Sequence, residues 1–310
     1  MVYDRCSSIT LRQLQIFSTV SRERSFARAA ESLCLSQPAV SAQIKQLETI
    51  LGVRLLARSR GRRSISLTAA GEILLASCED IARTLERTDR ALSAFRSLKQ
   101  GSVAFGASLY FGAYILPRVH TAFRQHHPGI EVTYEIGDVP DVLDGLRRQR
   151  FDLVVVAGPV DDAALVAEPL GSYEVVLVGR PGHRLQHGPP APFVELRAEQ
   201  LLLPKPTFVL HSIMQHRAAQ EGITLQVAME TNHIEAKVRA VADGVGIAPI
   251  GSLAAVPGIT AGQLTILQVE GFPIRIDYAV VHQKGNLSSA ADLYRRHLLA
   301  YHASEVSAAK

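Results

Sequence analysis

Residues 25–48 read SFARAAESLCLSQPAVSAQIKQLE, in which a Ser-Gln-Pro break separates two short amphipathic patterns. Apolar residues follow helical spacing in each half, namely Phe26, Ala29, Ala30 and Leu33, then Val40, Ile44, Leu47 and Leu51. Ser25 and Ser36 are the expected N-caps, and Pro38 suits a first helical turn, where an amide hydrogen has no partner. The pattern predicts a helix-turn-helix, whose second helix enters the major groove of DNA.

The flanking segments extend this unit. Residues 11–20 predict a preceding helix, and VRLLARSRGRRSISLT, residues 53–68, predicts two strands joined by a basic turn. Arginines crowd that turn at positions suited to phosphate contact: Arg54, Arg58, Arg60, Arg62 and Arg63. We therefore predict a winged helix-turn-helix domain over residues 1–68.

Charge is concentrated at the same end of the chain. Up to residue 70 there are eleven basic and four acidic residues, a net charge of +7, whereas the whole chain of 310 residues carries +4. Residues 71–310 must therefore carry −3. This asymmetry favours a polyanion as the partner of the N-terminal end, although a solvated basic face would explain the arginine cluster taken alone.

The segments LRQLQIF, SFARAAESL, SQPAVSAQIKQLE, LGVRLLAR and LTAAGE, in this order, resemble the DNA-binding half of the LysR-type transcriptional regulators. The resemblance is close over residues 9–72 and extends to the rest of the chain in layout. It implies contact with double-stranded promoter DNA by the recognition helix, through Gln37, Pro38 and Ser41. By charge and position within the helix-turn-helix and wing, the further candidate DNA contacts are Arg28, Ser36, Lys45, Arg58, Arg60, Arg62 and Arg63. Ala42 departs from the longer polar or basic residue of many members, so no base preference is inferred there.

Residues 69–99 predict one long linker helix with a single apolar seam, whose residues alternate by four and three. The candidate dimerisation residues on this seam are Leu74, Ile81, Leu85 and Leu92. Such a helix needs a partner in water, either its own domain or a second copy of the chain. The two-fold symmetry of DNA sites favours the second copy, and in the resembled family this helix pairs subunits. We expect a homo-oligomer, with dimer and tetramer both open.

Beyond residue 100, strand and helix patterns alternate, as in GSVAFGAS, IEVTYEI and FDLVVVAG with helical segments between them. This alternation predicts an α/β fold with a parallel sheet covered by helices. We predict an effector-binding domain over residues 100–310, with one lobe from about residues 100–167 and 272–303 and the other from about 168–271. The resemblance implies a fold like that of periplasmic solute-binding proteins.

A ligand of an open α/β sheet binds beyond the carboxyl ends of the strands, beside helix N-termini. The candidate effector contacts at such places are Ser108, Leu109, Tyr110, Ala157, Gly158, Lys205, Thr207 and Phe208, and by position they match the effector cleft of the family. Two hydroxyl groups and a cation favour a small anionic metabolite. Ser108 as a helix cap alone, and Lys205 as a solvated loop residue, remain alternatives.

Catalytic signatures are missing: no H-E-x-x-H, G-x-S-x-G or P-loop occurs, and the eleven histidines are scattered. We expect a protein that is not an enzyme and holds no metal or cofactor. No apolar run reaches the roughly 20 residues needed to span a bilayer, and the first residues lack a signal-peptide pattern. Three cysteines without a C-x-x-C pair favour buried, reduced thiols in the cytoplasm, with a redox sensor as the alternative.

Three classes of function fit these features. The preferred one is a LysR-type transcription regulator that binds DNA as an oligomer, responds to a small-molecule effector and has RNA polymerase as a further partner. A solute-binding or metabolite-sensing protein is the second class, and the dense helix-turn-helix motif argues against it. The third is an architectural DNA-binding protein without an effector, which leaves the long α/β region without a role.

Overall fold

The computed structural model describes residues 8–58, 65–93, 101–285 and 287–308. By its internal contacts the chain divides into two compact units, Met1–Asp89 and Arg90–Lys310. The first is a small helical unit with a two-stranded hairpin, and the second is a mixed α/β domain.

The first unit contains three short helices, a hairpin and a long helix: α1 Leu11–Glu23, α2 Phe26–Ser32, α3 Gln37–Leu51, β1 Leu56–Arg58, β2 Ile65–Leu67 and α4 Ala69–Ser93. The predicted caps are confirmed, because Ser25 Oγ accepts from the amide of Arg28 at 3.4 Å and Ser36 Oγ accepts from that of Ala39 at 3.3 Å. Gly52 ends α3 in the left-handed conformation, as glycine does readily.

A dry core holds α1, α2 and α3 together. Its fully buried members come from all three helices and include Phe17, Val20, Ala29, Val40 and Leu47. The small side chain of Ala29 lets α2 approach its neighbours, while each large aliphatic or aromatic side chain contributes about 1.5–3 kcal/mol by leaving water. Strands β1 and β2 pair antiparallel beside this core. The predicted winged helix-turn-helix is confirmed.

Helix α4 changes its environment along its length. Leu74 and Cys78 pack onto the core of their own unit, so here the alternative of packing onto the same domain holds. Ile81 and Leu85, one and two turns further on, are 37% and 47% exposed. The side chain of Leu92 lies outside the described residues. The predicted seam therefore divides into a part used within the chain and a part left open.

The two described cysteines differ. Cys78 is buried, and this burial raises the pKa of its thiol to about 11, which keeps it protonated. Cys34 is exposed in the turn between α2 and α3, so the expectation of buried thiols is wrong for this residue. Cys6 lies outside the described residues.

The second unit alternates strands and helices. Its first half contains β3 Gly101–Ser108, α5 Leu109–Tyr114, α6 Leu116–His126, β4 Ile130–Gly137, α7 Val139–Arg147, β5 Leu153–Ala157 and β6 Leu165–Gly179. A 3₁₀ helix, Phe193–Ala198, opens the second half, followed by β7 Gln200–Leu203, α8 Val209–Gln220, β8 Gln226–Glu230, α9 Ile234–Ala242, β9 Ala248–Gly251, α10 Ser252–Thr260, β10 Thr265–Ile266, β11 Ile274–Gln283 and α11 Ser289–Ala308.

Seven strands form one mixed sheet in the order β10-β6-β11-β5-β3-β4, with β9 also paired to β6. Strand β3 is parallel to β4 and β5, and the separate pair β7–β8 is parallel, as predicted. The parallel prediction is wrong for the other pairs. Strands β6 and β11 run antiparallel along their length, and β9 and β10 are antiparallel to β6. The reason is that β6 leaves the first lobe and β11 returns to it, so the two-lobed domain needs opposed strands.

Two further properties concern the described residues alone. Among them, no helix combines the length and the apolar character required to cross a membrane. Nor do three or more histidine, cysteine, aspartate or glutamate side chains within these ranges converge as a metal ion would require.

Candidate functional site

The outer face of α3 presents a row of polar side chains. Gln37, Pro38, Ser41 and Lys45 are all exposed, and the N-cap Ser36 is exposed beside them. A separate face with Val40, Ile44 and Leu47 is buried, so the orientation of the helix is fixed by core packing. A helix held in this way presents amide, hydroxyl and ammonium groups to solvent, the groups that direct readout of base pairs requires.

Two of the other predicted DNA contacts belong to the described part of the same unit. Arg28 is exposed, and its guanidinium contacts Glu23 twice: Nη2 donates to the carbonyl oxygen, and Nε lies 3.4 Å from a carboxylate oxygen. A surface ion pair of this kind contributes little to stability. The backbone of Arg58 pairs with Ile65 in the hairpin. The turn with Arg60, Arg62 and Arg63 lies outside the described residues.

A small cavity opens between the two lobes of the second unit, where several strands end and helices begin. It encloses about 60 Å³. The predicted residues that line it are Ser108, Leu109, Tyr110, Ala157 and Phe208. The sequence therefore predicted the side of the cavity that belongs to the first lobe almost completely.

Ser108 lies deepest among these residues. Its side chain is 3% exposed, and its Oγ has no hydrogen-bond partner among the described residues although it stands at the N-cap of α5. The alternative of a helix cap alone is therefore not what its geometry supports. A buried hydroxyl without a partner costs about 1–3 kcal/mol, which a bound ligand could recover.

Tyr110 forms one wall of the cavity. Its ring stacks on Tyr173 with centroids 4.2 Å apart, and its hydroxyl accepts a hydrogen bond from the amide of Leu253 at 3.0 Å. Glycine is required at position 251 because a Cβ there would lie 1.9 Å from the Tyr110 ring. Burial raises the pKa of the Tyr110 hydroxyl, so it stays neutral.

The predicted residues of the second lobe are less well placed. Lys205 and Thr207 are exposed and do not line the cavity, and Phe208 rather than Thr207 is the N-cap of α8. Lys205 instead donates its backbone amide to Asn232 Oδ1 at 3.0 Å. Gly158, a predicted residue of the first lobe, is not among the residues that line the cavity. A Cβ added to it would lie 3.2 Å from the side chain of Val209.

Sequence reasoning missed Lys237 on α9, which lines the cavity and is 4% exposed. Burial lowers the pKa of its ammonium group to about 8. A signal was present, because Lys237 stands three residues after Ile234 and four before Val241, on the apolar face of the helix. A charged residue in such a stripe indicates a buried polar site.

Besides the bond from the Leu253 amide to Tyr110, two hydrogen bonds between side chains join the lobes. Asn232 Nδ2 donates to Asp138 Oδ2 at 2.6 Å, and the Tyr114 hydroxyl donates to Glu235 Oε1 at 2.7 Å. Burial and the Glu235 carboxylate raise the pKa of Tyr114, which keeps it a donor. These bonds hold the lobes in the observed arrangement.

A second cavity of about 230 Å³ lies on the other side of the stacked tyrosines. Tyr110 and Tyr173 border both cavities, and Tyr278 stacks on Tyr173 with centroids 5.0 Å apart. Glu174 is also among the residues that line it. A displacement of Tyr110 would therefore change the shape of both cavities.

Comparison with known proteins agrees with this architecture. A family model described as bacterial regulatory helix-turn-helix protein, lysR family, matches residues 11–72, and one described as LysR substrate binding domain matches residues 96–303. The chain belongs to the LysR family of transcriptional regulators.

Relatives match along most of the chain. It is 32% identical over 293 residues to the HTH-type transcriptional regulator CfxR of Cupriavidus necator. This alignment covers 94% of this chain and 92% of CfxR. It is 34% identical over 276 residues to a RuBisCO operon transcriptional regulator of Acidithiobacillus ferrooxidans. This alignment covers 89% of this chain and 88% of the relative.

Solved structures share the fold. The structure of full-length CbnR in complex with its target DNA matches this chain with a TM-score of 0.77 at 20% identity. The match covers 94% of this chain and 99% of CbnR. The regulatory domain of CcmR from Synechocystis PCC6803, in complex with 2-PG, has a TM-score of 0.61 at 24% identity. It covers 66% of this chain and 98% of that domain.

Proposed function

We propose that this regulator binds promoter DNA through the exposed face of α3 and the arginines of the wing, and binds a small-molecule effector in the cavity bordered by Ser108. The effector, by preferring one arrangement of the lobes, changes the spacing of paired DNA-binding heads. The pairing uses the open part of α4, with Ile81 and Leu85. The assembly is a dimer or tetramer that acts in the cytoplasm and contacts RNA polymerase, without converting the effector chemically.

The observation that carries the effector site is the unpartnered hydroxyl of Ser108 inside an interlobe cavity. Buried polar atoms in native proteins nearly always have a partner, so an enclosed one beside free space indicates a ligand. The two hydrogen bonds across the cleft explain how such a ligand acts. A molecule that widens or tightens the cavity must work against or with the bonds of Asn232 and Tyr114.

The test compares two hydroxyl residues in one titration. DNA fragments recovered from the source genome by binding to the full chain supply the operator, and cell extract fractions supply the effector. We expect Ser108→Ala to abolish the effector response while operator binding stays intact. Thr207→Ala serves as the control, because its side chain lies outside the cavity. If Ser108→Ala responds like wild type, the site is wrong.

We further propose that the regulated genes belong to carbon dioxide fixation. The support is the naming of two relatives, each called a RuBisCO operon transcriptional regulator, which are 34% and 28% identical to this chain over most of its length. Gel shifts with the promoter of the RuBisCO operon, against an equally long unrelated promoter, test this. Equal affinity for the two fragments would refute it and leave the regulator function in place.

A further inference from the structure

The second cavity, of about 230 Å³, differs in chemistry from the cavity bordered by Ser108. Much of its wall is apolar, with Phe111 and Ile115 from the first lobe, Leu170 from β6 and Leu298 from α11. An apolar cavity of about 150 Å³ is large enough for a benzene molecule. This larger space therefore accommodates one aromatic ring with a short substituent.

A buried polar group in this wall lacks a partner. Tyr278 lines the cavity and is 3% exposed, and its hydroxyl makes no hydrogen bond with any residue that the structure describes. Burial raises the pKa of Tyr278, so the hydroxyl keeps its proton and can donate. Because buried hydroxyl groups in proteins nearly always have a partner, this one indicates a ligand that carries a hydrogen-bond acceptor.

The stacked tyrosines favour an aromatic ligand. The ring of Tyr173 stacks on Tyr110 with centroids 4.2 Å apart and on Tyr278 with centroids 5.0 Å apart, so both of its faces are covered. Its edge is the part that remains for a ligand. The edge of an aromatic ring is partly positive and attracts the face of another aromatic ring.

The charges around the cavity favour a neutral ligand. None of the described residues that line it carries a positive charge, so an anion would leave water without a counter-charge, which is costly. Glu174 is the acidic residue of the lining, and it would repel an anion further. Because Glu174 is exposed, it offers a cation little more than water does.

We propose that the second cavity binds a small uncharged aromatic molecule whose carbonyl or ether oxygen accepts a hydrogen bond from Tyr278. This site is additional to the effector site bordered by Ser108 and takes a different class of ligand. Ser252 and Leu253, the first residues of α10 in the second lobe, line it together with Phe111 of the first lobe. A ligand there contacts both lobes, so the regulator has a second place at which a small molecule biases their arrangement.

The experiment is calorimetric titration of the full chain with three probes of one ring each. Acetophenone carries a carbonyl acceptor, ethylbenzene has nearly the same shape without it, and benzoate is an anion. We expect both neutral probes to bind wild type. Tyr278→Phe removes the donor, so the ratio of acetophenone affinity to ethylbenzene affinity should fall about two- to tenfold. Tyr134→Phe, the same change at an exposed tyrosine on β4, should keep the wild-type ratio.

A second variant locates the binding. Ser172→Phe adds a ring to the lining from β6 and should abolish binding of both neutral probes, with an unchanged thermal midpoint showing that the chain is folded. Any benzoate binding should be equal in wild type and Ser172→Phe. If Ser172→Phe does not fold, the affinity ratio of Tyr278→Phe decides alone.

Three results overturn the proposal: acetophenone does not bind wild type, Tyr278→Phe keeps the wild-type affinity ratio, or folded Ser172→Phe still binds the neutral probes. Loss of benzoate binding in folded Ser172→Phe would overturn the assignment of an uncharged ligand. Operator gel shifts without any probe report the regulator function separately, so a failure of that function is distinguishable from a failure of this site.

Discussion

The recognition helix and the effector cavity present polar groups to their partners in opposite ways. Lys45 and Gln37 on α3 stand in water, which satisfies them until DNA arrives. The Ser108 hydroxyl is shielded from water and has no protein partner among the described residues, and Lys237 is 4% exposed in the same cavity. The exposed face of α3 therefore carries no desolvation penalty in the absence of DNA. Its affinity for DNA is expected to depend on salt concentration. The cavity stores an unfavourable free energy that a ligand of the right charge relieves, so occupancy can bias the arrangement of the lobes.

The largest expected effect concerns the link between two DNA-binding heads. Leu85→Asp should place a charge in the helix–helix contact that we propose for α4 and separate the subunits. Because two linked heads bind far more tightly than one, operator affinity should fall by about 100- to 10,000-fold. Sedimentation and gel shifts measure both quantities. Ala76→Asp adds the same charge on the opposite face of α4 and should change neither. A wild-type mass for Leu85→Asp would return the whole helix to a role within its own chain.

The arginines of the wing test whether DNA affinity depends on salt through exposed cations. Replacing Arg60, Arg62 and Arg63 by alanine should weaken binding to all DNA sequences alike, by up to about 100-fold, and lower the salt slope by roughly one unit per lost contact. Affinity measured across a salt series gives the slope. A control variant with Arg118, Arg124 and Arg239 replaced removes the same charge from the other unit and should keep the full slope. An unchanged slope in the wing variant would mean that these arginines face solvent.

Base recognition should depend on fewer side chains than phosphate contact by the wing. Gln37→Ala should lower discrimination between operator and random DNA by about 1–3 kcal/mol, because the amide group pairs with base edges. Competition gel shifts give the ratio of the two affinities. Gln46→Ala, an exposed change about 180° away on the same helix, should leave that ratio as in wild type. Equal ratios in both variants would exclude Gln37 from base contacts.

The same contrast explains what could be predicted from the sequence. The helix-turn-helix is local: Ser25, Ser36 and the apolar spacing act within a few residues of each other, so caps and faces follow directly. The strand ends at Ser108 and Ala157 follow from a general rule of α/β sheets. The opposed direction of β6 and β11 depends on pairing across a hundred residues, which no local pattern encodes.

The second lobe shows where residue-level prediction fails. A displacement of one residue in the loop before α8 makes Phe208 the N-cap and leaves Thr207 in solvent. Lys237 was missed for a different reason, since a lysine is expected at the surface and only its place on the apolar face of α9 indicates burial. The N-cap of α8 depends on the local backbone conformation, whereas the burial of Lys237 depends on tertiary packing around the cavity.

The smallest expected effect concerns the hydrogen bond from Tyr114 to Glu235, which joins the lobes at the edge of the cavity. Because Glu235 is exposed, the bond competes with water and contributes about 0.5–1 kcal/mol, so Tyr114→Phe should lower the free energy of unfolding by that amount. Denaturant melts of the full chain measure it, and a double-mutant cycle with Glu235→Gln isolates the pair. Tyr134→Phe removes an exposed hydroxyl from β4 and should change nothing. Should the two phenylalanine variants melt alike, the hydrogen bond from Tyr114 to Glu235 contributes nothing to the stability of the folded chain.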